Sequence, residues 1–100
     1  MFKHIVMWKF KEFAEGKTKE ENMDWVKSHL EALPAIIPCL KSVKVIKDVT
    51  RSPRSFDMML ITEFETPEDL QTYLVHPDHK EVSSYVALVK EARGSVDYFE

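Results

Sequence analysis

Two stretches of this chain alternate with a period of two, and that alternation limits its folding options more than any other feature. In residues 2–11 the even positions give His4, Val6, Trp8 and Phe10, and the odd ones Lys3, Ile5, Met7, Lys9 and Lys11. In residues 56–65 the even positions Phe56, Met58, Leu60, Thr62 and Phe64 carry no charge, while the odd ones run Asp57, Met59, Ile61, Glu63 and Glu65. Successive side chains of a strand point to opposite faces. Each stretch therefore predicts a strand with one apolar face and a second face apolar only at its centre. Both faces have something to bury, which an isolated surface strand would not.

The rest of the chain supplies helices to cover one of those faces. From about Lys19 to Leu33 the positions Met23, Val26, Leu30, Leu33 and Ile37 step by three and four, the spacing of an amphipathic helix ended by Pro34 and Pro38. His29 falls one residue off that stripe and is expected in solvent. Residues 12–18, with Gly16, read as a polar loop, and residues 42–49 as a strand with Val43, Val45 and Val49 on one face. Thr50 to Ser55 reads as an exposed loop. Thr66-Pro67-Glu68-Asp69 opens a helix: Thr66 caps, Pro67 suits the first turn, and the acids favour the positive end of the dipole. That helix carries Leu70, Tyr73 and Leu74 and should stop at His76, because Pro77 disfavours helical geometry in the residue before it. A further helix is expected from Pro77 to about Ala92, apolar at Val82, Tyr85, Val86, Leu88 and Val89, capped by Gly94 and followed by a strand over residues 95–99.

The order is that of an α+β, ferredoxin-like βαββαβ fold, an antiparallel sheet with helices on one face and the second helix broken at His76-Pro77. The 100 residues, 44 % apolar, make a single domain over residues 1–100. The even faces should lie beneath the helices. Ile5, Met7, Met59 and Ile61 are then left uncovered, which predicts a homodimer packed sheet to sheet.

Composition narrows the partners. A formal net charge of −3 argues against nucleic acid, and no apolar run approaches the roughly 18 residues of a membrane span. The N-terminal residues lack the apolar stretch and cleavage site of a secretory leader. Cys39 is alone, so no disulfide framework is expected, the compartment is a reducing cytoplasm, and Cys39 reads as a buried small apolar residue.

The stretch Tyr73-Leu-Val-His76-Pro77-Asp-His79 gathers a phenol and two of the chain's four histidines at the helix break. Together with the opening Lys3-His-Ile-Val-Met-Trp-Lys-Phe-Lys11, Ile37-Pro38, Phe56-Asp57 and the C-terminal Val96-Asp97-Tyr98, it resembles the stress-responsive A/B barrel (Dabb) family. The resemblance covers nearly the whole chain and implies a dimeric α+β barrel of ferredoxin-like subunits. Many members are known as stress-induced or uncharacterised proteins. One plant branch contains polyketide cyclases that close an aromatic ring by aldol condensation without a cofactor. By that resemblance Tyr73 and His79 match the catalytic pair and His4 matches a histidine on the first strand. A pocket histidine of the third strand falls at Met58, where this sequence departs from the cyclases.

Such chemistry needs a base to take a proton beside a carbonyl and a donor to hold the resulting enolate. A histidine and a tyrosine suit those roles. Val6, Trp8, Met58 and Leu60 are expected as the apolar floor of a pocket for a small, apolar, carbonyl-bearing molecule; a cavity of roughly 300 Å3 or more beneath His79 and Tyr73 would support a ligand, and a side-chain-filled core there the structural view. The last strand should run beside the first, setting Asp97 against His4 to orient its imidazole. The competing reading is structural: Tyr73 and His79 fix the turn, and His76 is simply pinned before Pro77. His76 and His79 are three apart, but no cysteine or carboxylate completes a set of ligands, so no metal and no cofactor is expected. A stress-response or interaction dimer without catalysis, and a cofactor-free monooxygenase by shared architecture, stand as the other functional readings.

Overall fold

Strand β1 (Phe2–Phe10) lies at the heart of the computed structural model, which describes residues 1–100. It pairs antiparallel with β5 (Met58–Phe64) on one side and β6 (Lys90–Phe99) on the other. With β4 (Ser42–Lys47) added beyond β5, the sheet has the order β4-β5-β1-β6. The register sets His4 opposite Thr62, Val6 opposite Leu60 and Trp8 opposite Met58, so all even positions share one face. Each of these six side chains, with Phe10 and Phe64, is buried. Thr62 satisfies its hydroxyl by donating to the His4 carbonyl at 3.1 Å.

Three helices cover that face. Helix α1 (Lys19–Glu31) starts at a capping box in which the Glu21 amide bonds the Thr18 hydroxyl and the Glu21 carboxylate accepts from the Thr18 amide. It buries Met23, Val26 and Leu30, and a 3-10 turn, Leu33–Ala35, carries the chain past Pro34. Helices α2 (Pro67–Val75) and α3 (Pro77–Val89) meet at His76, as the Thr66-Pro67 start and the Pro77 break predict. No helix is long and apolar enough to cross a membrane.

Several boundaries differ from expectation, each for a physical reason. The loop over residues 12–18 contains a small hairpin, β2 (Phe13–Ala14) with β3 (Lys17–Thr18). Glu15 (φ 52°) and Gly16 (φ 72°) form its two-residue turn, the left-handed pair that matches hairpin twist. Strand β4 stops at Lys47, because Asp48 turns to accept the Arg51 amide; Val49 is outside the strand and 91 % exposed. Strand β5 starts at Met58, since the Asp57 carboxylate accepts the Phe10 amide at 2.7 Å and ends the lead-in there. Helix α3 ends at Val89 instead of Ala92, and Leu88 is exposed. Gly94 caps nothing: it sits inside β6 opposite Met7. Pairing with β1 over its whole length outweighs the helical tendency of Glu91-Ala92-Arg93. Cys39 is half-buried, its thiol 3.4 Å from the Asp69 carbonyl.

The other face of the sheet carries no helix. Ile5, Met7, Met59 and Ile61 lie there half-buried among their neighbours, and the patch continues to Ile46 and Val96, both exposed.

Candidate functional site

The site begins with the break between α2 and α3. His76 is extended (φ −65°, ψ 135°), and its Nδ1 accepts the Asp78 amide at 3.1 Å, so it caps α3. The change of direction brings the rings of Tyr73 and His79 together, with centroids 4.3 Å apart and planes inclined at 52°. Phe64 also packs against Tyr73, with ring centroids 5.3 Å apart.

These rings wall a cavity of about 190 Å3 between α3 and the sheet. Val6, Trp8 and Leu60 line it from the sheet, Leu30 from α1, and His79, Val82, Ser83, Val86 and Ala87 from α3. His4, Leu74, Lys90 and Arg93 complete the lining. The cavity is smaller than the roughly 300 Å3 that would by itself support a ligand, and it is not filled by side chains either. Two residues expected at the site are not on its surface. Met58 is 1 % exposed and packed into the core. Asp97 does not line the cavity; it stands beside His4, where the pairing of first and last strands was expected to set it, its Oδ1 2.5 Å from the His4 Nδ1.

The α3 contribution has a sequence signal: positions 79, 82, 83, 86 and 87 repeat at the helical period from His79 onward. Lys90 and Arg93 continue the same three-and-four spacing, but they reach the cavity from strand β6 and not from a helix. His29 lies elsewhere, exposed and stacked on Trp25 at 3.7 Å.

The local environment sets opposite protonation tendencies on the central pair. The Tyr73 hydroxyl is buried and has no hydrogen-bond partner in the protein. Burial pushes its phenol well above the ordinary value of 10.0, so it holds its proton and is a donor. Burial lowers His79 below 6.5; the bond to the Leu74 carbonyl opposes this, and His4 and His76 nearby add to it. Its imidazole is therefore neutral at pH 7. The Leu74 carbonyl, 3.2 Å from Nδ1, can only accept, which places the ring proton on Nδ1 and leaves the Nε2 lone pair as the base. On His4 the contact with Asp97 occupies Nδ1 and leaves Nε2 as its other polar atom. The arrangement is a buried proton donor beside a neutral base, over an apolar floor.

Known proteins share both the chain and its architecture. The family model of the stress responsive A/B barrel domain matches residues 2–100. Olivetolic acid cyclase from Cannabis sativa is 37 % identical over 79 residues, 77 % of this chain and 74 % of that protein. A dimeric protein of unknown function with a ferredoxin-like fold, from Bacteroides fragilis, superposes with a TM-score of 0.84 at 30 % identity, covering 99 % of this chain and 95 % of that one. The hydroxynitrile lyase of Passiflora edulis shares the fold, with a TM-score of 0.80 at 18 % identity, over 97 % of this chain and 90 % of its own. The family match spans the two alternating strands, the helix break and the paired end of the chain, and by it this protein belongs to the stress-responsive A/B barrel domain family.

Proposed function

We propose that this protein is a homodimer whose cavity binds a small, apolar, carbonyl-bearing molecule, and that Tyr73 and His79 carry out cofactor-free acid–base chemistry of the cyclase or lyase type on it. One observation carries the reading: a buried tyrosine hydroxyl without a protein partner, beside a histidine kept neutral. Leaving a buried hydroxyl unpaired costs about 1–3 kcal/mol, and a ligand carbonyl would recover that energy. Nε2 of His79 takes a proton from the carbon next to the carbonyl. The C–H electron pair becomes the enolate, whose oxygen accepts a hydrogen bond from Tyr73. In ring closure the enolate carbon attacks a second carbonyl of the same molecule, and the proton on His79 passes to the new alkoxide. The name of the cyclase relative points the same way. The dimer is assigned to the outer sheet face through Ile5, Met7, Met59 and Ile61, in line with the dimeric state of the structural relatives. A reducing cytoplasm suits the unpaired thiol of Cys39.

Enolisation tests the chemistry without knowledge of the natural substrate. Deuterium uptake at the α-carbons of 2-pentanone in D2O, followed by proton NMR, should exceed the buffer rate and fall back to it in His79→Gln. A native protein no faster than buffer overturns the catalytic reading. The modest cavity favours a second reading, a non-enzymatic stress-response or interaction dimer. Native mass spectrometry of freshly purified protein separates the two: a dimer retaining a small molecule supports the first, an empty dimer without exchange activity the second.

A further inference from the structure

The cavity's charge is as informative as its shape. The chain has 17 acidic residues against 14 basic ones, yet no aspartate or glutamate lines the cavity, while Lys90 and Arg93 both do. Of the other twelve cations, six pair with an acid: Lys3 with Glu100, Lys19 with Glu12 and Asp57, Lys27 with Glu31, Lys41 with Glu65, Lys47 with Asp24 and Glu20, and Arg51 with Glu20. Lys90 and Arg93 form no ion pair and no side-chain hydrogen bond, and the nearest acid of β6 on this face, Asp97, is committed to His4.

Their placement follows from β6. Arg93 is opposite Trp8 and Lys90 opposite Phe10 in the register, so both lie on the helix-covered side. Lys90 is half-buried and Arg93 exposed, which sets them at the solvent side of a cavity whose depth is apolar. Resting on the assignment of the cavity as a ligand site, we propose that its ligand is a small apolar molecule bearing a carboxylate, with the apolar body over Val6, Trp8 and Leu60 and the anion held by Lys90 and Arg93. The planar guanidinium of Arg93 matches a carboxylate's two oxygens, and the Lys90 ammonium adds a second charge. The anchored anion would fix which carbon of the ligand meets His79 and which oxygen meets Tyr73. Lys90 and Arg93 are thus specificity-determining residues.

The test uses 3-phenylpropanoate and its uncharged isostere 3-phenylpropanamide, titrated into the full-length protein at pH 7.5. Binding is read from the NMR shift of the indole N–H of Trp8, which lies on the cavity floor. The acid should bind roughly tenfold more tightly than the amide at low salt. The difference should shrink as ionic strength rises from about 0.05 M to about 0.5 M, where screening shortens the reach of charge. In the double variant Lys90→Gln/Arg93→Gln the preference for the acid should vanish, and in Lys90→Arg/Arg93→Lys it should persist. Equal affinity for acid and amide in the native protein overturns the anion assignment and leaves the cavity reading standing. The absence of any shift at Trp8 with either compound overturns both. A preference that survives the double Gln variant also overturns it.

Discussion

The two faces of the sheet are written by the same strands, one residue out of phase, and are finished in different ways. On the helix-covered face Phe10, Met58 and Phe64 are at most 1 % exposed, and the buried polar side chains His4 and Thr62 have partners. On the outer face Ile5, Met7, Met59 and Ile61 are only half covered, inside a rim that includes Lys3, Lys9, Lys44 and Glu63. A self-contained core needs one apolar face per strand. The second is surplus in a monomer, so the covered face should govern folding and the open face assembly.

Truncation at the covered face should have the largest effect. Phe64→Ala removes a fully buried ring that also braces Tyr73, and should cost about 3–5 kcal/mol in urea-induced unfolding. A loss below about 1 kcal/mol would mean that this face is not the core. Next comes the open face. Ile61→Glu sets a charge in the centre of the patch and should weaken dimerisation at least about a hundredfold in analytical ultracentrifugation, close to 2.7 kcal/mol. The far-ultraviolet circular dichroism of the monomer should not change. A variant that stays dimeric would break the division of labour between the faces.

Tyr73→Phe probes the one fully buried side-chain polar atom that has no partner. If the hydroxyl serves only to hold the helix junction, its removal destabilises the protein. Because it lacks a protein partner, its loss should instead raise stability by about 1 kcal/mol, with the deuterium exchange of 2-pentanone strongly reduced. Such an opposition between stability and activity marks a group kept for a ligand.

What could be read from the sequence had local causes. Alternation in residues 2–11 and 56–65 carries the faces because strand periodicity involves only neighbours, and Thr66-Pro67 and His76-Pro77 fix helix ends by backbone sterics. What escaped depended on distant partners. Glu91-Ala92-Arg93 favours a helix locally and becomes strand because β1 offers a full ladder, so Lys90 and Arg93 line the cavity from the sheet. The hairpin of residues 13–18 is held by Asn22, whose amide donates to the Ala14 carbonyl at 3.0 Å and accepts from the Tyr85 hydroxyl, a bond across 63 positions. Met58 satisfied the alternation but packs into the core, since a shared face does not specify which of its members border an opening.

The smallest effect is a slope in stability against pH, and it separates the faces once more. His79 has a folded pKa below its unfolded value of 6.5, chiefly because burial disfavours the cation. Above 6.5 the ring is neutral in both states and the full stability is present. As pH falls through 6.5 the unfolded chain takes up the proton first, so stability declines until the folded pKa is reached, and His79 adds no slope below that. Glu20, Glu21 and Glu100 are held below their ordinary 4.5 by bonded partners, so their losses begin at lower pH. His79→Gln should therefore flatten the segment just under 6.5 in urea titrations and leave the more acidic limb in place. No histidine lies on the outer face, so the dimer fraction should stay constant over the same segment. Dissociation there, abolished by His79→Gln, would mean that the cavity and the interface are coupled through the strands they share.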